Sequence, residues 1–432
     1  MSENSAAATT ETGSGKQRGR PANSQVKFDD FIEAVEADLE SQGRKLFYQG
    51  GAWWEYKDGA WFPWVTANEE AMDAALLRLA RVREFPYATH RAALWVMLRA
   101  HFGSEKVVTF DAEPAVVCRN KTYFLKADKV EPHSPNHFLT RRIDVDLNLK
   151  AKCPEWLKML NRIFEDRSDI TRRETIDFLQ EWMGVALVGG ERPRELQKAL
   201  ICYGVERTGK SSIAELVEEL VGGPSKVSSA SIGQITERFG MESLIGKAAL
   251  ISNEAANPRT HAAADKLKQL ITGDTLDVDR QMRPVVSMKF DIPILFTTNV
   301  LPKIEDETNA LYERLVVLEF NRQFDAEDAK LLGGKKALPY LRSKGELPGI
   351  LNWCLEGYDR AIERKSFKLP STAMAAGERF RRQNDKVYDF VAQCCTRDRE
   401  VACSSQGLSW ACVQFAMEVH DTKISPATAA RQ

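Results

Sequence analysis

Apolar residues along this chain change their spacing from one stretch to the next, and each spacing predicts a different element. Residues 28–40 set apolar side chains among acidic ones at helical intervals, which predicts an acidic amphipathic helix. In residues 46–65 (LFYQGGAWWEYKDGAWFPWV), Gly50-Gly51 and Asp58-Gly59 interrupt short aromatic stretches, which predicts a small antiparallel strand module. Helical spacing dominates 68–104. Short strands and turns are expected over 107–150, and helices over 154–165 and 170–188. Further on come unbroken apolar runs of strand length: LQKALICY (196–203), Lys247 to Ser252, DIPILFTT (291–298) and LVVLEF (315–320). Unbroken runs suit strands buried on both faces. Ser212 to Val221 places Ile213, Leu216, Val217 and Leu220 at helical spacing, so strand and helix alternate as in an α/β core.

Composition changes this picture little. A chain of 432 residues has room for several domains. A net charge of −1 excludes a uniformly basic nucleic-acid coat, so any nucleic-acid surface must be local. The cysteines are scattered, with Cys394 beside Cys395, which suits a reduced chain rather than a disulfide framework. No apolar run reaches membrane-spanning length and the first residues lack a secretory apolar core, so a cytoplasmic location without a membrane partner is expected. Residues 1–27 have no aromatic residue and are expected to be a disordered basic tail. Its Arg18-Gly19-Arg20-Pro21 resembles an AT-hook, against the plainer reading of a solubilising segment. Trp53, Trp54, Trp61 and Trp64 admit two readings, nucleobase stacking or the core of the small sheet, and the core reading is preferred. His133 and His137 are four apart, but Pro132 and Pro135 rule out a regular helix, and no structural zinc is expected.

Residues 204–212 (GVERTGKSS) fill the phosphate-loop pattern G-x-x-x-x-G-K-[ST] without a mismatch, between a strand-like run and a helical one. The glycines let backbone N–H groups close around phosphates, Lys210 reaches the β- and γ-phosphates, and the Ser211 hydroxyl joins a Mg²⁺ shell. Gly204, Gly209, Lys210, Ser211 and Ser212 are therefore the candidate contacts to ATP. The run ending at Ser252 leads into Asn253 and Glu254. A carboxylate there can activate the attacking water, so Glu254 is the candidate base, and Asn253 is placed beside Mg²⁺ through a water. Asn299 ends the run at 291–298 and is the candidate contact to the γ-phosphate. Arg314 precedes the last run and is the candidate for stabilising transition-state charge in a neighbour's site.

This ordered set resembles the superfamily-3 helicases, a branch of the AAA+ ATPases, and most closely the helicase part of phage and plasmid primase-helicases. LQKALICYGVERTGKSS is similar to the family's first ATPase motif, IGKAALISNEA to its second and TTNVLPKI to its third. ADKLKQLITGDTLDVDRQMRP resembles the intervening lysine-Gly-Asp motif, and NALYERLVVLEF the arginine-finger segment. PHSPNHFLTRRIDVDLNLKAKCPEWLKMLNRIF resembles the domain upstream of the ATPase, and LPGILNWCLEGYDRAI the helical stretch after it. The likeness covers roughly residues 115–365. It implies an α/β fold with an AAA+ type P-loop core, ATP and Mg²⁺ as cofactors, a homo-hexameric ring, DNA in its channel, and unwinding during replication of a phage, plasmid or integrated element. A hairpin over 276–288 would grip the strand, with Arg280, Arg283 and Lys289 on phosphates and Lys266 and Lys268 as weaker candidates. The rival readings are an origin-binding or loading ATPase and an ATP-switched regulator.

The expected organisation is a tail (1–27), an aromatic strand module (28–66), a mainly helical domain (67–190), the ATPase (191–330), a helical region (331–380) and a partial winged-helix-like tail (381–432). No paired-acid primase motif stands upstream, so a primase, where needed, is expected as a separate partner.

Overall fold

The computed structural model describes residues 27–64, 66–104, 106–188, 192–253, 261–281, 283–304, 310–396, 400, 402–421 and 423–431. The AT-hook-like segment lies outside them. Helix α1 (Phe28–Ser41) leads into strands β1 (Lys45–Gln49), β2 (Ala52–Lys57) and β3 (Ala60–Pro63), which pair antiparallel in that order. Helices α2 (Thr66–Val82) and α3 (Tyr87–His101) follow. The boundary expected at residue 66 does not divide a core. Phe31 and Leu39 of α1, Trp53 and Trp64 of the sheet segment, Leu76 of α2 and Leu94 and Leu98 of α3 form one buried cluster. The helices cover one face of the three-stranded sheet.

Strands β4 (Ala115–Val117), β5 (Thr122–Phe124) and β6 (Lys129–Glu131) form a second small antiparallel sheet. Helices α4 (Pro154–Ile163) and α5 (Asp169–Leu187) follow it. α4 starts with Pro154 in its first turn, where the missing N–H costs nothing. α5 is capped by the Ser168 side chain accepting from the Thr171 amide.

The large sheet is built next. In chain order come β7 (Ala199–Tyr203), α6 (Lys210–Leu220), β8 (Val227–Ser228), α7 (Ile232–Thr236), β9 (Ala249–Ser252) and α8 (His261–Thr272). A hairpin of β10 (Thr275–Arg280) and β11 (Arg283–Lys289) then precedes β12 (Ile294–Thr298) and β13 (Leu315–Glu319). The five-stranded sheet runs β13-β7-β12-β9-β8, and every pair in it is parallel. Side chains alternate between its faces. Leu200, Cys202, Leu295, Val316 and Leu318 join the core shared with α4, α5 and α6. Ala199, Ile201, Phe296, Leu315 and Val317 join the opposite core, with α7, α8 and the hairpin. Both faces are covered, which is why the sequence shows unbroken apolar runs here.

Helices α9 (Ala326–Leu331), α10 (Ala337–Ser343), α11 (Leu347–Arg364), α12 (Ser371–Asn384), α13 (Lys386–Cys394), α14 (Ser405–His420) and α15 (Pro426–Arg431) complete the chain. α11 returns to α5, where the Gln180 amide donates to the Trp353 carbonyl at 2.7 Å and Arg364 pairs with the buried Glu181. The tail expected to be winged-helix-like is helical in its described residues. Among the described residues after β13 there is no strand to make a wing, and α13, α14 and α15 instead close on their own core of Val387, Phe390 and Cys412. No helix of the described residues is long and apolar enough to cross a membrane.

Candidate nucleotide cleft

The tips of β7, β9 and β12 lie at one end of the sheet. In register, Thr298 faces Tyr203 and Phe296 faces Ser252. The residues that follow these strands, Gly204, Asn253 and Asn299, therefore emerge side by side. Gly204 opens the loop and Gly209 closes it onto the N-terminus of α6. Each must be glycine here. A Cβ on Gly204 would sit 2.1 Å from the Phe320 carbonyl oxygen, and Gly209 has φ of 92° with Ile163 only 3.0 Å from where its Cβ would lie. The loop is pinned from outside as well: the Phe324 amide donates to the Arg207 carbonyl at 2.7 Å.

Lys210 is 7% exposed. Its ammonium donates to the Gly204 carbonyl at 2.7 Å, to the Val205 carbonyl, and to Thr208 Oγ1 at 3.3 Å. Burial pushes it below the ordinary lysine value. The N–H groups of a helix's first turn have no partner inside the helix, so α6 presents donors and a partial positive charge at this spot. Ser211 and Ser212 stand in that turn and line the cleft. The Thr297 hydroxyl donates to Asn253 Oδ1 at 2.9 Å, tying the tips of β9 and β12 together. Glu254 lies outside the described residues.

The cleft has a volume of about 1310 Å³, within reach of a nucleotide with its phosphates. Its wall was not legible from the motif. Met159 and Ile163 of α4, Phe324, Leu332 and Tyr340 give it an apolar side. Lys158, Arg162, Arg207, Lys335 and Lys336 give it positive charge. The wall is clamped at Asp328, which accepts from Arg162 Nε at 2.6 Å and from Arg322 at 2.9 and 3.0 Å. Burial alone would raise this carboxyl, but the hydrogen bonds from Arg322, the Asp325 amide and Arg162 outweigh it and hold it well below the usual carboxylate range. The one sequence signal for this wall is the amphipathic spacing of 154–165, which marks a helix but not its neighbour.

Hard oxygen donors suit Mg²⁺, and the Ser211 hydroxyl and Asn253 amide oxygen face the same cleft. The residues present fit such an ion held mainly through phosphates and water.

Arg314 is elsewhere. It immediately precedes β13, whose first residue Leu315 pairs with Ala199 at the start of β7. The phosphate loop follows the far end of β7, so a strand length of roughly 17 Å separates them along the sheet. One Arg314 amino group donates to the Ala310 carbonyl at 2.7 Å, and its buried Nε has no hydrogen-bond partner among the described residues.

Residues 276–288 do form a hairpin. Arg280 and Arg283 pair across its turn. Lys289 does not join them, because it pairs with Thr275 at the hairpin's root. The Gln281 amide donates to Glu242 Oε2 at 3.2 Å, which fixes the turn to the body. Lys266 is occupied by the Thr236 carbonyl at 3.0 Å, and Lys268 pairs with Asp265 at 2.7 Å.

Comparison with known proteins adds two regional matches. Residues 47–165 match a family model described as D5 N terminal like, and residues 202–314 match one described as a family of unknown function, DUF5906. No curated protein matches. Among solved structures, the chain is similar to the A form apo structure of the NrS-1 C terminal region, at 13% identity over 92% of each chain, with a TM-score of 0.42. It is also similar to a further apo structure of that region, at 13% identity over 92% of each chain, with a TM-score of 0.41.

Proposed function

We propose that the chain is an ATP-driven DNA translocase or helicase of the superfamily-3, AAA+ type, acting in replication of a phage, plasmid or integrated element. The observation that carries this reading is the convergence at one end of a parallel sheet. A phosphate loop ending in a buried lysine meets two polar strand tips, Asn253 and Asn299. Backbone donors of the loop and α6 bind the phosphates, and Lys210 places a cation at their outer end. Ser211 and Asn253 would hold the shell of a Mg²⁺ ion, which would supply charge neutralisation at the phosphates. Glu254 takes the proton of the attacking water, and Asn299 orients the water against the γ-phosphate. Arg314, at the far end of the sheet, serves the cleft of a neighbouring copy in a ring, for which a hexamer is the proposed form. Arg280 and Arg283, at the hairpin turn, hold DNA phosphates without reading bases. The region described as D5 N terminal like stands upstream of the loop, where the resemblance puts the family's upstream domain.

The test is ATP turnover with and without single-stranded DNA, together with strand displacement. Turnover stimulated by DNA, with displacement of a paired strand, supports the reading. Slow turnover indifferent to DNA would replace it with the regulator. Glu254→Gln is expected to bind ATP and lose turnover by about 100-fold or more, since the cradle stays while the base goes. Full turnover in that variant would remove Glu254 from its role.

A further inference from the structure

A second large cleft lies between the N-terminal aromatic sheet and the edge of the parallel sheet. Its volume is about 1520 Å³. It is separate from the nucleotide cleft and shares no residue with it. One wall comes from β2 and β3, and the other from the turns before β8 and β9 and the root of the hairpin.

Positive charge is gathered at its centre. Lys226 lies with its ammonium 3.9 Å from the centre of the Phe62 ring, joining the two walls. Arg142, Lys57 and Lys247 surround it. Burial lowers Lys226, and those three cations lower it further against the single opposing carboxylate of Asp58. Arg142 pairs with Asp58 at 3.3 Å and with Asp144 at 3.4 Å, which holds its guanidinium at the cleft. Deeper in the cleft, the buried guanidinium of Arg141 and the part-buried one of Arg192 both pair with one carboxylate, Asp291. Each lies below the ordinary arginine value, Arg141 at about 10 and Arg192 at about 9, with burial the main cause. Lys289, at the hairpin's root, extends the positive edge.

The cleft also presents an aromatic face. Trp61 and Trp64 are buried with their indole N–H groups donating to the Pro135 carbonyl and Glu55. Trp53 is buried too, stacked on Trp64. Trp54 differs. It is half-buried, lines the cleft, and is backed by Phe110 in a stacked pair with centroids 4.2 Å apart. A cationic cleft that holds a supported aromatic face matches what a single strand offers, phosphates along one side and bases along the other.

We infer that this cleft, through Lys57, Arg142, Lys226 and Lys247 together with Trp54, binds single-stranded nucleic acid at a site distinct from the hairpin turn. The site needs no ATP hydrolysis, so it stands or falls apart from the proposed motor. The test is binding of fluorescently labelled oligo-dT to the full chain without nucleotide, across a salt series. Lys57→Ala with Lys247→Ala removes two exposed or half-exposed cations without opening the core. Affinity is expected to fall about 25-fold near 0.1 M salt, and the salt slope to flatten by roughly 1.4, the amount two lost phosphate contacts give on a single strand. Lys57→Arg with Lys247→Arg should keep both values. Trp54→Ala should weaken binding with no change in slope. Unchanged affinity and slope in the double alanine variant, and again in Lys57→Glu with Lys247→Glu, would overturn the site. Loss of binding in Arg280→Ala with Arg283→Ala, with the groove variants indifferent, would overturn it too and leave the hairpin as the contact.

Discussion

The parallel sheet and the aromatic sheet both advertise themselves in the sequence, yet they spend their conspicuous residues differently. At the parallel sheet, the residues that stand out are pushed to the strand tips. Lys210, Asn253 and Asn299 end up around one cleft, while the strands beneath are mostly Ala, Leu, Ile and Val. At the aromatic sheet the conspicuous residues are the core itself. Trp53, Trp61 and Trp64 are each 6% exposed or less, and of the four tryptophans Trp54 is the one left half-buried at the cleft. The difference follows from chemistry. A phosphate loop needs particular donors at particular spacing, so its residue types betray the task. A small sheet needs apolar area, and tryptophan supplies the most per residue.

That contrast can be broken first at Arg314. If the cleft is completed by a neighbour, Arg314→Ala should lose turnover by about 10³-fold or more while still binding ATP. Mixing it with Lys210→Ala should recover part of the activity, since one variant has the cradle and the other the arginine. No recovery in mixed assemblies would make Arg314 a structural residue, and the buried Nε would then need another explanation.

The second test lies in the other sheet. Trp53 stacks on Trp64 and meets Trp95 and Phe102 edge-on. Trp53→Ala should cost about 3–5 kcal/mol of stability in urea unfolding. Nucleotide affinity of the folded protein should not move. A variant that keeps its stability but loses nucleotide or DNA binding would show the buried tryptophans to be functional after all.

The smallest effect is expected at the clamp between the regions' two styles, where a charged residue is used for structure. Asp328→Asn should cost about 2 kcal/mol at neutral pH, by weakening charge-assisted hydrogen bonds from Arg162 and Arg322. The carboxyl is held below its unfolded value, so its contribution is full above the unfolded pKa and is lost as pH falls through the folded one. The gap in stability between the two proteins should therefore close only in strong acid. A gap that is constant across the acid range would show that Asp328 does not act through its charge.

Legibility follows the same division. The strand runs and the loop with its helix could be read because each is a local pattern, whereas the hairpin was implied only by the family resemblance. The strand order could not, since nothing in LVVLEF says that it pairs with β7 rather than with β12. The wall of the nucleotide cleft was hidden because α4 and Asp328 come together only in space. At residue 66 the aromatic content changes, but one buried cluster continues across it. Trp54 is indistinguishable from Trp53 until the strand's two faces are assigned. The groove of Lys57, Arg142, Lys226 and Lys247 draws on segments far apart in the chain, each with an unremarkable basic residue.

One clamp has a consequence for how the chain reaches this state. Arg162 meets Asp328 across 166 positions of sequence, and Gln180 meets Trp353 across 173. The loop that carries the phosphate motif is thus enclosed by partners from both sides of it in the chain. Contacts of such separation form late, because the intervening segment must first be drawn together. The Arg162–Asp328 clamp closes one side of the candidate cleft, while α11 returns onto α5 elsewhere in the same core. A cut in the connection between α5 and β7 would therefore sever no single domain. It would yield two fragments, each holding one half of the same core, whose re-association would itself be the folding reaction.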